Sequence, residues 1–206
     1  MHVALIAFDD FTDLDLFLPW DLLHRVEGSV GLRVRILGDA AHHTSVTGLP
    51  VPVHGPLSEA NDADAVLFTS GKGARRKVDD AQWLSSFALD PKRQLIGSMC
   101  SGALLLAALG LLEGKRATTY PTSRAALSAR GVEVVEASFV EEGNLATAAG
   151  CLAAQELCGW VIERLCGRAQ RETVLRSIQP VGRGLAFADA DPARGRLPAS
   201  YYGRPG

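Results

Sequence analysis

Cys100 stands at a junction that is suited to present a nucleophile. A short apolar run, residues 95–98, leads into it, and an apolar run with helical spacing, residues 103–112, follows it. The neighbours at this junction are small, namely Gly97, Ser98, Ser101 and Gly102. A sharp strand-to-helix turn requires small neighbours, and it presents its central side chain beyond the carboxyl end of the strand. The sequence therefore predicts a nucleophile elbow with Cys100 at its tip.

The predicted turn also places Cys100 at the N-terminus of a helix. The helix dipole and the unpaired N–H groups of the first turn stabilise a thiolate. The same N–H groups can bind negative charge that develops on a substrate. We therefore expect a reactive thiol at Cys100 rather than the buried structural cysteine that is common before an apolar helix.

The other three cysteines indicate neither a metal site nor a disulfide framework. Cys151, Cys158 and Cys166 lie on or next to a predicted long helix at near-heptad spacing, and the chain contains no C-x-x-C pair. Small apolar side chains with this spacing usually pack inside a fold. We therefore predict that these three cysteines are reduced core residues, and that the protein uses no metal ion and no cofactor.

Strands and helices alternate along the chain around the junction. The predicted strands are residues 3–8, 32–37, 65–68, 95–98, 116–119 and 132–135, with extended pairs at 44–53 and 139–148. The predicted helices are residues 14–26, 81–89, 103–112, 123–129, 152–165 and 170–178, and residues 69–73 are predicted to form a loop. Alternation requires crossover connections, which produce a largely parallel sheet with helices on both faces. We predict an α/β fold, a three-layer α/β/α sandwich.

The chain is expected to form one domain followed by a tail. Its 206 residues are enough to bury a large core and lie within the range of a single α/β domain. From Gly182 onward the sequence is rich in Gly, Pro, Ala and Arg and lacks apolar periodicity. We therefore assign residues 1–180 to the domain and residues 181–206 to an irregular C-terminal extension.

Charge and hydropathy exclude several classes of partner. The 21 basic and 23 acidic side chains are scattered, so no electrostatic footprint for nucleic acid or an anionic membrane stands out. No apolar run approaches the length that spans a bilayer, and residues 1–8 lack the basic start of a secretory signal. We therefore expect a cytoplasmic protein that binds a small molecule, with no nucleic-acid or membrane partner.

Four stretches, taken in their order and spacing, resemble the ThiJ/PfpI family. They are residues 11–21, residues 62–71, residues 100–103 together with 114–119, and residues 143–150. The family belongs to the class I glutamine amidotransferase-like superfamily and has a flavodoxin-like sandwich with a cysteine at this elbow. The resemblance extends to about Ile178 and therefore implies a flavodoxin-like fold for nearly the whole chain.

The resemblance implies catalytic partners for Cys100. In the family a carboxylic acid from the first helix region approaches the cysteine, and Asp15 stands at that position. A like charge and partial burial favour a protonated acid that can donate a proton. Gly71 aligns with the second glycine of the family's Pro-Gly-Gly loop, and its N–H would form an oxyanion pocket together with the N–H of Ser101.

Two departures from the family pattern reduce the number of reactions that the site is expected to catalyse. Thr69 and Ser70 stand where Pro-Gly is usual, and Tyr120 stands where many members have a histidine. Without that histidine, protease or amidase chemistry is harder to justify, because acyl transfer from a peptide bond needs a base and then an acid for the amine. Members that resemble isocyanide hydratases carry an aspartate at the position of Asp15.

These residues lead to a primary functional hypothesis, a cofactor-free hydratase or lyase acting on a small electrophile, most concretely an isocyanide hydratase. Cys100 would attack the terminal carbon, Asp15 would relay protons, and water would release an N-formamide. Ser101 could orient the adduct or the water. One alternative is glyoxalase-like activity on α-oxoaldehydes, against which Asp15 and the missing histidine count. Another is a non-catalytic redox or stress sensor, since an exposed cysteine of low pKa oxidises easily.

Three further residues are assigned to substrate binding, and one surface to subunit contact. Trp20, Tyr120 and Gly150 are the predicted substrate-binding residues. The family commonly forms dimers, which implies a symmetric homodimer. The apolar first helix, with Phe17, Trp20 and Leu23, is the expected contribution to that contact near the cleft.

Overall fold

The computed structural model describes residues 1–26 and 31–190. The strands in these residues are β1 (His2–Ile6), β2 (Arg33–Gly38), β3 (His42–Thr44), β4 (Pro50–Pro52), β5 (Gly55–Pro56), β6 (Ala65–Phe68), β7 (Leu95–Met99), β8 (Arg116–Ala117), β9 (Glu133–Val134), β10 (Phe139–Glu142) and β11 (Leu145–Ala148). The α-helices are α1 (Asp13–His24), α2 (Lys72–Lys77), α3 (Ala81–Leu84), α4 (Ala103–Ala108), α5 (Arg124–Ser128), α6 (Ala154–Cys166) and α7 (Arg168–Ser177).

The main sheet has seven strands in the order β10-β11-β7-β6-β1-β2-β5. All neighbouring strands in it run parallel except β10, which pairs antiparallel with β11. The central strands β6 and β7 are buried along their whole length, as expected where helices cover both faces of a parallel sheet. The predicted flavodoxin-like α/β/α sandwich is therefore confirmed.

The chain order brings four strand ends to one edge of the sheet. Strand β2 lies on one side of β1 and β6 on the other, so the strand order reverses beside β1. Ligands of open α/β sheets bind beyond the carboxyl ends of the strands at such a reversal. Helix α1 follows β1, Gly71 follows β6, Cys100 follows β7, and Cys151 follows β11, so these segments meet there.

Several short elements differ from the predictions. Residues 69–73 were predicted as a loop, but α2 begins within them; its sequence has no apolar periodicity, and only Gly73 and Ala74 are buried. Helix α3 ends at Leu84 rather than at residue 89. At this earlier end, the Ser85 hydroxyl donates a hydrogen bond to the Gln82 carbonyl at 2.7 Å.

The predicted strand 116–119 is also shorter than expected. It ends after two residues as β8, which pairs with β9 in a separate two-stranded sheet. Thr118 and Thr119 then make other hydrogen bonds: the Thr118 N–H donates to Thr147 Oγ1 at 2.9 Å, and the Thr119 hydroxyl donates to the Cys100 carbonyl at 2.8 Å. After the strand ends, Thr118 is therefore bonded to β11 and Thr119 to the cysteine elbow.

The first part of the predicted extension, residues 181–190, is described by the structure. Val181 and Leu185 form an isolated bridge, and a 3₁₀ turn spans Phe187–Ala190. The remainder of the predicted extension, residues 191–206, lies outside the described residues. Within the described part of the chain, none of the helices is both long enough and apolar enough to cross a membrane.

Candidate active site

The backbone at Cys100 has the unusual geometry of a nucleophile elbow. Its φ is 47°, in a region where a side chain costs about 1–3 kcal/mol. Cys100 opens a 3₁₀ turn, Cys100–Gly102, directly after β7 and before α4. A Cβ on Gly102 would lie 2.6 Å from the Thr69 carbonyl oxygen and 2.9 Å from that of Phe68, so the turn packs against the end of β6 only with glycine there.

Asp15 lies behind the elbow, in the first turn of α1. Its side chain is completely buried, and the Ser70 hydroxyl donates a short hydrogen bond to its Oδ2. Its other oxygen, Oδ1, accepts no hydrogen bond of normal geometry within the described structure. A carboxylate oxygen of Asp15 and the sulfurs of Cys100 and Cys151 lie within 4.8 Å of one another. The carboxylate therefore lies beside both thiols, at a distance that one bridging water or a small side-chain shift closes for proton transfer.

Cys151 is part of this site, which corrects the prediction that it packs in the core. Its Sγ lies 3.8 Å from the Cys100 Sγ, and its side chain is half-buried. The cause is the sheet register: β11 pairs in parallel with β7 so that Ala148 lies beside Met99, and both chains continue over the same edge. Cys158 is fully buried on α6, as predicted.

The electrostatic environment of Cys100 opposes the expected thiolate. Burial, and then the negative charge of Asp15, raise the pKa of the Cys100 thiol well above its ordinary value. The same two causes, in the same order, raise the pKa of Cys151. Burial and the charge of Asp15 therefore both oppose the predicted pair of a Cys100 thiolate and a protonated Asp15.

A cavity of about 280 Å³ opens onto Cys100. Its lining includes the buried Ser101 and the exposed side chains of Lys72, Arg75 and Tyr120. Arg75 is held in place, because its guanidinium donates to Thr122 Oγ1 at 2.7 Å and also to the Ser123 hydroxyl. The volume suits a small substrate.

The predicted oxyanion donor Gly71 is engaged by Ser101. The Gly71 N–H donates to Ser101 Oγ at 3.1 Å, which orients this hydroxyl beside the cysteine. Gly71 has a φ of 131°, and a Cβ there would collide with the Asp10 carbonyl, so the loop requires glycine. The Ser101 hydroxyl therefore stands between the Gly71 N–H and the cavity.

These features coincide with a family match over most of the chain. Residues 1–164 match the model of the DJ-1/PfpI family. The chain belongs to the DJ-1/PfpI family. The resemblance inferred from the four sequence stretches is thereby confirmed.

Individual DJ-1/PfpI relatives differ in the activities that their names carry. An isonitrile hydratase of Pseudomonas putida is 28% identical over 194 residues, covering 93% of this chain and 81% of that protein. A deglycase of Pyrococcus abyssi is 26% identical over 147 residues, covering 70% of this chain and 87% of that protein.

Solved structures support the same fold. A ThiJ/PfpI family protein from Pseudomonas syringae superposes with a TM-score of 0.79 at 26% identity, over 87% of this chain and 76% of that one. DJ-1 of Schizosaccharomyces pombe superposes with a TM-score of 0.75 at 18% identity, over 88% of this chain and 100% of that one, which shows the fold alone.

The structure places two of the three residues predicted to bind substrate in this DJ-1/PfpI protein at cavities, and the third elsewhere. Tyr120 lines the cavity at Cys100 and also a second cavity of about 750 Å³, whose lining includes Gly150. Trp20 lines neither cavity, because its ring packs against His24 at 4.1 Å and His54 at 5.3 Å between ring centroids. Leu23, which we expected at a subunit contact, is 1% exposed and belongs to the core.

Sequence reasoning missed the cations of the cavity and the role of Cys151. Lys72 and Arg75 lie on α2, which lacks the apolar spacing that identifies a helix. The three ligand atoms of Asp15, Cys100 and Cys151 could also hold a thiophilic metal ion, which the sequence did not predict because it placed Cys151 in the core. Binding an ion would first require both thiols to lose their protons.

Proposed function

We propose that this protein is a cofactor-free isocyanide hydratase that combines a small isocyanide with water to give an N-formamide. The observation that carries the proposal is the buried Asp15 carboxylate within 4.8 Å of the Cys100 sulfur, at a cavity of about 280 Å³. A nucleophile and one proton relay are sufficient for addition to an electrophilic carbon. The name of the Pseudomonas putida relative supports the same substrate class.

The first step follows from the raised pKa of Cys100. Because the resting thiol keeps its proton, attack requires that proton to move to Asp15 as the sulfur approaches the substrate. The sulfur then bonds to the terminal isocyanide carbon, and Asp15 returns the proton to the same carbon. The product is a thioimidate on Cys100, and Asp15 is again a carboxylate.

The second step consumes water. A water molecule adds to the thioimidate carbon with Asp15 as the base, and the nitrogen receives a proton. The carbon–sulfur bond then breaks, Cys100 recovers a proton, and the N-formamide leaves. Ser101, whose hydroxyl accepts from the Gly71 N–H, is placed to orient the water or the adduct. The sum of both steps is one isocyanide plus one water.

The test is turnover of cyclohexyl isocyanide under reducing conditions, followed as loss of isocyanide and gain of formamide. Cys100→Ala is expected to abolish turnover, and Asp15→Asn to lower kcat by roughly 100-fold or more. Asp13→Asn is the matched control, because Asp13 lies in the same helical turn and bonds Thr47 instead. Absence of turnover in a wild-type protein whose Cys100 is reduced and alkylatable would overturn the proposal.

A second candidate activity is conversion of α-oxoaldehydes such as methylglyoxal. It is favoured by the name deglycase of the Pyrococcus abyssi relative, and Asp15 and Tyr120 count against it for the reasons derived from the sequence. Production of lactate from methylglyoxal by wild type, with no consumption of isocyanides, would favour this candidate. We place either activity in the cytoplasm, where reducing conditions keep cysteines as thiols.

A further inference from the structure

Cys151 is a nucleophilic side chain that the proposed hydration does not use. Its sulfur lies 3.8 Å from that of Cys100, and both side chains line the same cavity. Both cysteines are free thiols. Small molecules that reach Cys100 therefore meet two thiols and not one.

We propose that Cys151 is a resolving cysteine: a hydroperoxide oxidises Cys100, and Cys151 then closes a reversible Cys100–Cys151 disulfide across the cavity. This modification site does not depend on which electrophile the enzyme hydrates. It makes the site a two-cysteine centre rather than a single reactive cysteine.

The geometry needs only a small movement. A disulfide has a sulfur–sulfur distance of about 2.05 Å, so the two sulfurs must approach by about 1.8 Å. Cys151 lies in the 3₁₀ turn Cys151–Ala153, between Gly150 and α6, and is only half-buried. Cys158 is sealed in the core, and Cys166 ends α6 at its far end, about 18 Å along the axis from Ala154.

The first chemical step consumes one hydroperoxide. The Cys100 thiol passes its proton to Asp15, and the thiolate attacks the terminal oxygen of the hydroperoxide, whose O–O bond breaks. The leaving alkoxide takes the proton from Asp15 and departs as an alcohol, or as water when the oxidant is hydrogen peroxide. Cys100 is then a sulfenic acid, and the peroxide has been reduced by two electrons.

The second step releases water. Cys151 gives its proton to Asp15, its thiolate attacks the sulfur of the sulfenic acid, and the hydroxide leaves with the proton from Asp15. Two thiols and one hydroperoxide have become one disulfide, one alcohol and one water. An external dithiol restores both cysteines by thiol–disulfide exchange.

Proximity decides between this step and further oxidation. A second peroxide competes with Cys151 for the sulfenic acid and would give the sulfinic acid irreversibly. A neighbouring group held in place acts at an effective concentration far above that of dilute peroxide. Disulfide formation is therefore expected to dominate in the wild type, and overoxidation to appear when Cys151 is replaced.

The test treats the folded protein with hydrogen peroxide in the presence of a chelator and follows the intact mass. The wild type is expected to lose two hydrogens and to recover them with dithiothreitol. Trypsin places Cys100 in residues 94–115, and a protease that cuts after Glu156 separates Cys151 from Cys158, so the linked peptides identify the pair.

Matched variants make the outcome decisive. Cys151→Ser is expected to accumulate Cys100 sulfinic acid at least roughly tenfold faster than the wild type, while Cys166→Ser should behave as the wild type. The assay reads mass and not hydration, so its failure is distinct from failure of the proposed function. A wild type that gains oxygens at Cys100 as fast as Cys151→Ser, or that does not react at all, would overturn the proposal.

Discussion

Two opposing influences act on the Cys100 thiol. A helix N-terminus favours the thiolate by about 0.3–1 kcal/mol, and here it is formed by a three-residue 3₁₀ turn that leads into the six-residue α4. A carboxylate charge within 4.8 Å disfavours it by about 3 kcal/mol at an effective dielectric constant of about 20. Burial adds to the second influence. The thiol therefore holds its proton until a substrate is present.

This balance predicts the pH dependence of alkylation at Cys100. In the wild type the rate of reaction with iodoacetamide should rise only above the ordinary thiol range, because the pKa of Cys100 is raised. Asp15→Asn removes the negative charge, so the pKa falls and the alkylation profile should move to lower pH. The measurement is mass spectrometry of the peptide that contains Cys100, across a pH series.

Asp13→Asn provides the comparison for that experiment, because it removes a charge from the same helical turn and should leave the profile unmoved. An Asp15→Asn profile that coincides with the wild type, or that moves to higher pH, would show that the carboxylate does not govern the thiol.

The three reactive residues differed in how far the sequence alone could reveal them. Cys100 was predictable because its signal is local: small residues surround a cysteine between a strand and a helix. Asp15 was found only through the family resemblance, since nothing in its own surroundings distinguishes it from a helix cap. Cys151 was missed because it has helical spacing with two other cysteines, and its contact with Cys100 spans 51 residues of chain.

At the scale of elements, long periodic segments were predictable and short ones were not. The buried parallel strands are continuously apolar, α1 is mostly apolar, and α6 and α7 each have one apolar face, so their existence follows from the sequence. Helix α2 has six residues with four basic side chains, and its position is set by contact with the elbow rather than by its own pattern. The sequence therefore did not predict that Lys72 and Arg75, which lie on α2, would line the cavity.

The packing of the elbow against β6 predicts that Gly102→Ala is severely disruptive. A Cβ at this position would lie 2.6 Å from one backbone carbonyl oxygen and 2.9 Å from another, and neither can move without displacing the end of β6. We expect a loss of about 1–3 kcal/mol in the free energy of unfolding, measured by urea denaturation. The shifted elbow should also abolish turnover.

Gly159→Ala is the matched control for this substitution. Its Cβ would meet side-chain atoms of Leu175 at 3.0 Å and of Arg171 at 3.2 Å rather than backbone atoms, and alanine is favoured over glycine in a helix interior. Stability close to that of the wild type is expected. Equal stability of the Gly102→Ala and Gly159→Ala proteins would mean that the elbow tolerates displacement.

Within residues 1–26 and 31–190, an exposed apolar patch lies beside the active-site edge. Leu14 is 42% exposed at the start of α1, and Val46 and Leu49 are 41% and 48% exposed in the turn between β3 and β4. A hydrogen bond from the Thr47 hydroxyl to Asp13, 2.7 Å long, joins the two segments. Because Leu23 is buried whereas Phe17 and Trp20 are partly exposed, we propose that this patch extends the predicted homodimer contact on α1.

The dimer is testable by sedimentation equilibrium. The wild type is expected to sediment as a dimer, and the double variant Leu14→Glu, Leu49→Glu to raise the dissociation constant by roughly 100-fold or more, because a symmetric contact would then bury four unpaired charges. Phe187→Glu is the control, because Phe187 is the more exposed apolar residue, at 87%, and lies outside the patch. A monomeric wild type would exclude the contact. A double variant that is as dimeric as the wild type would show that the dimer contact lies elsewhere. Monomers of the double variant that are active would show that each chain holds a complete site. We expect active monomers, because Asp15, Cys100 and Cys151 meet within one chain.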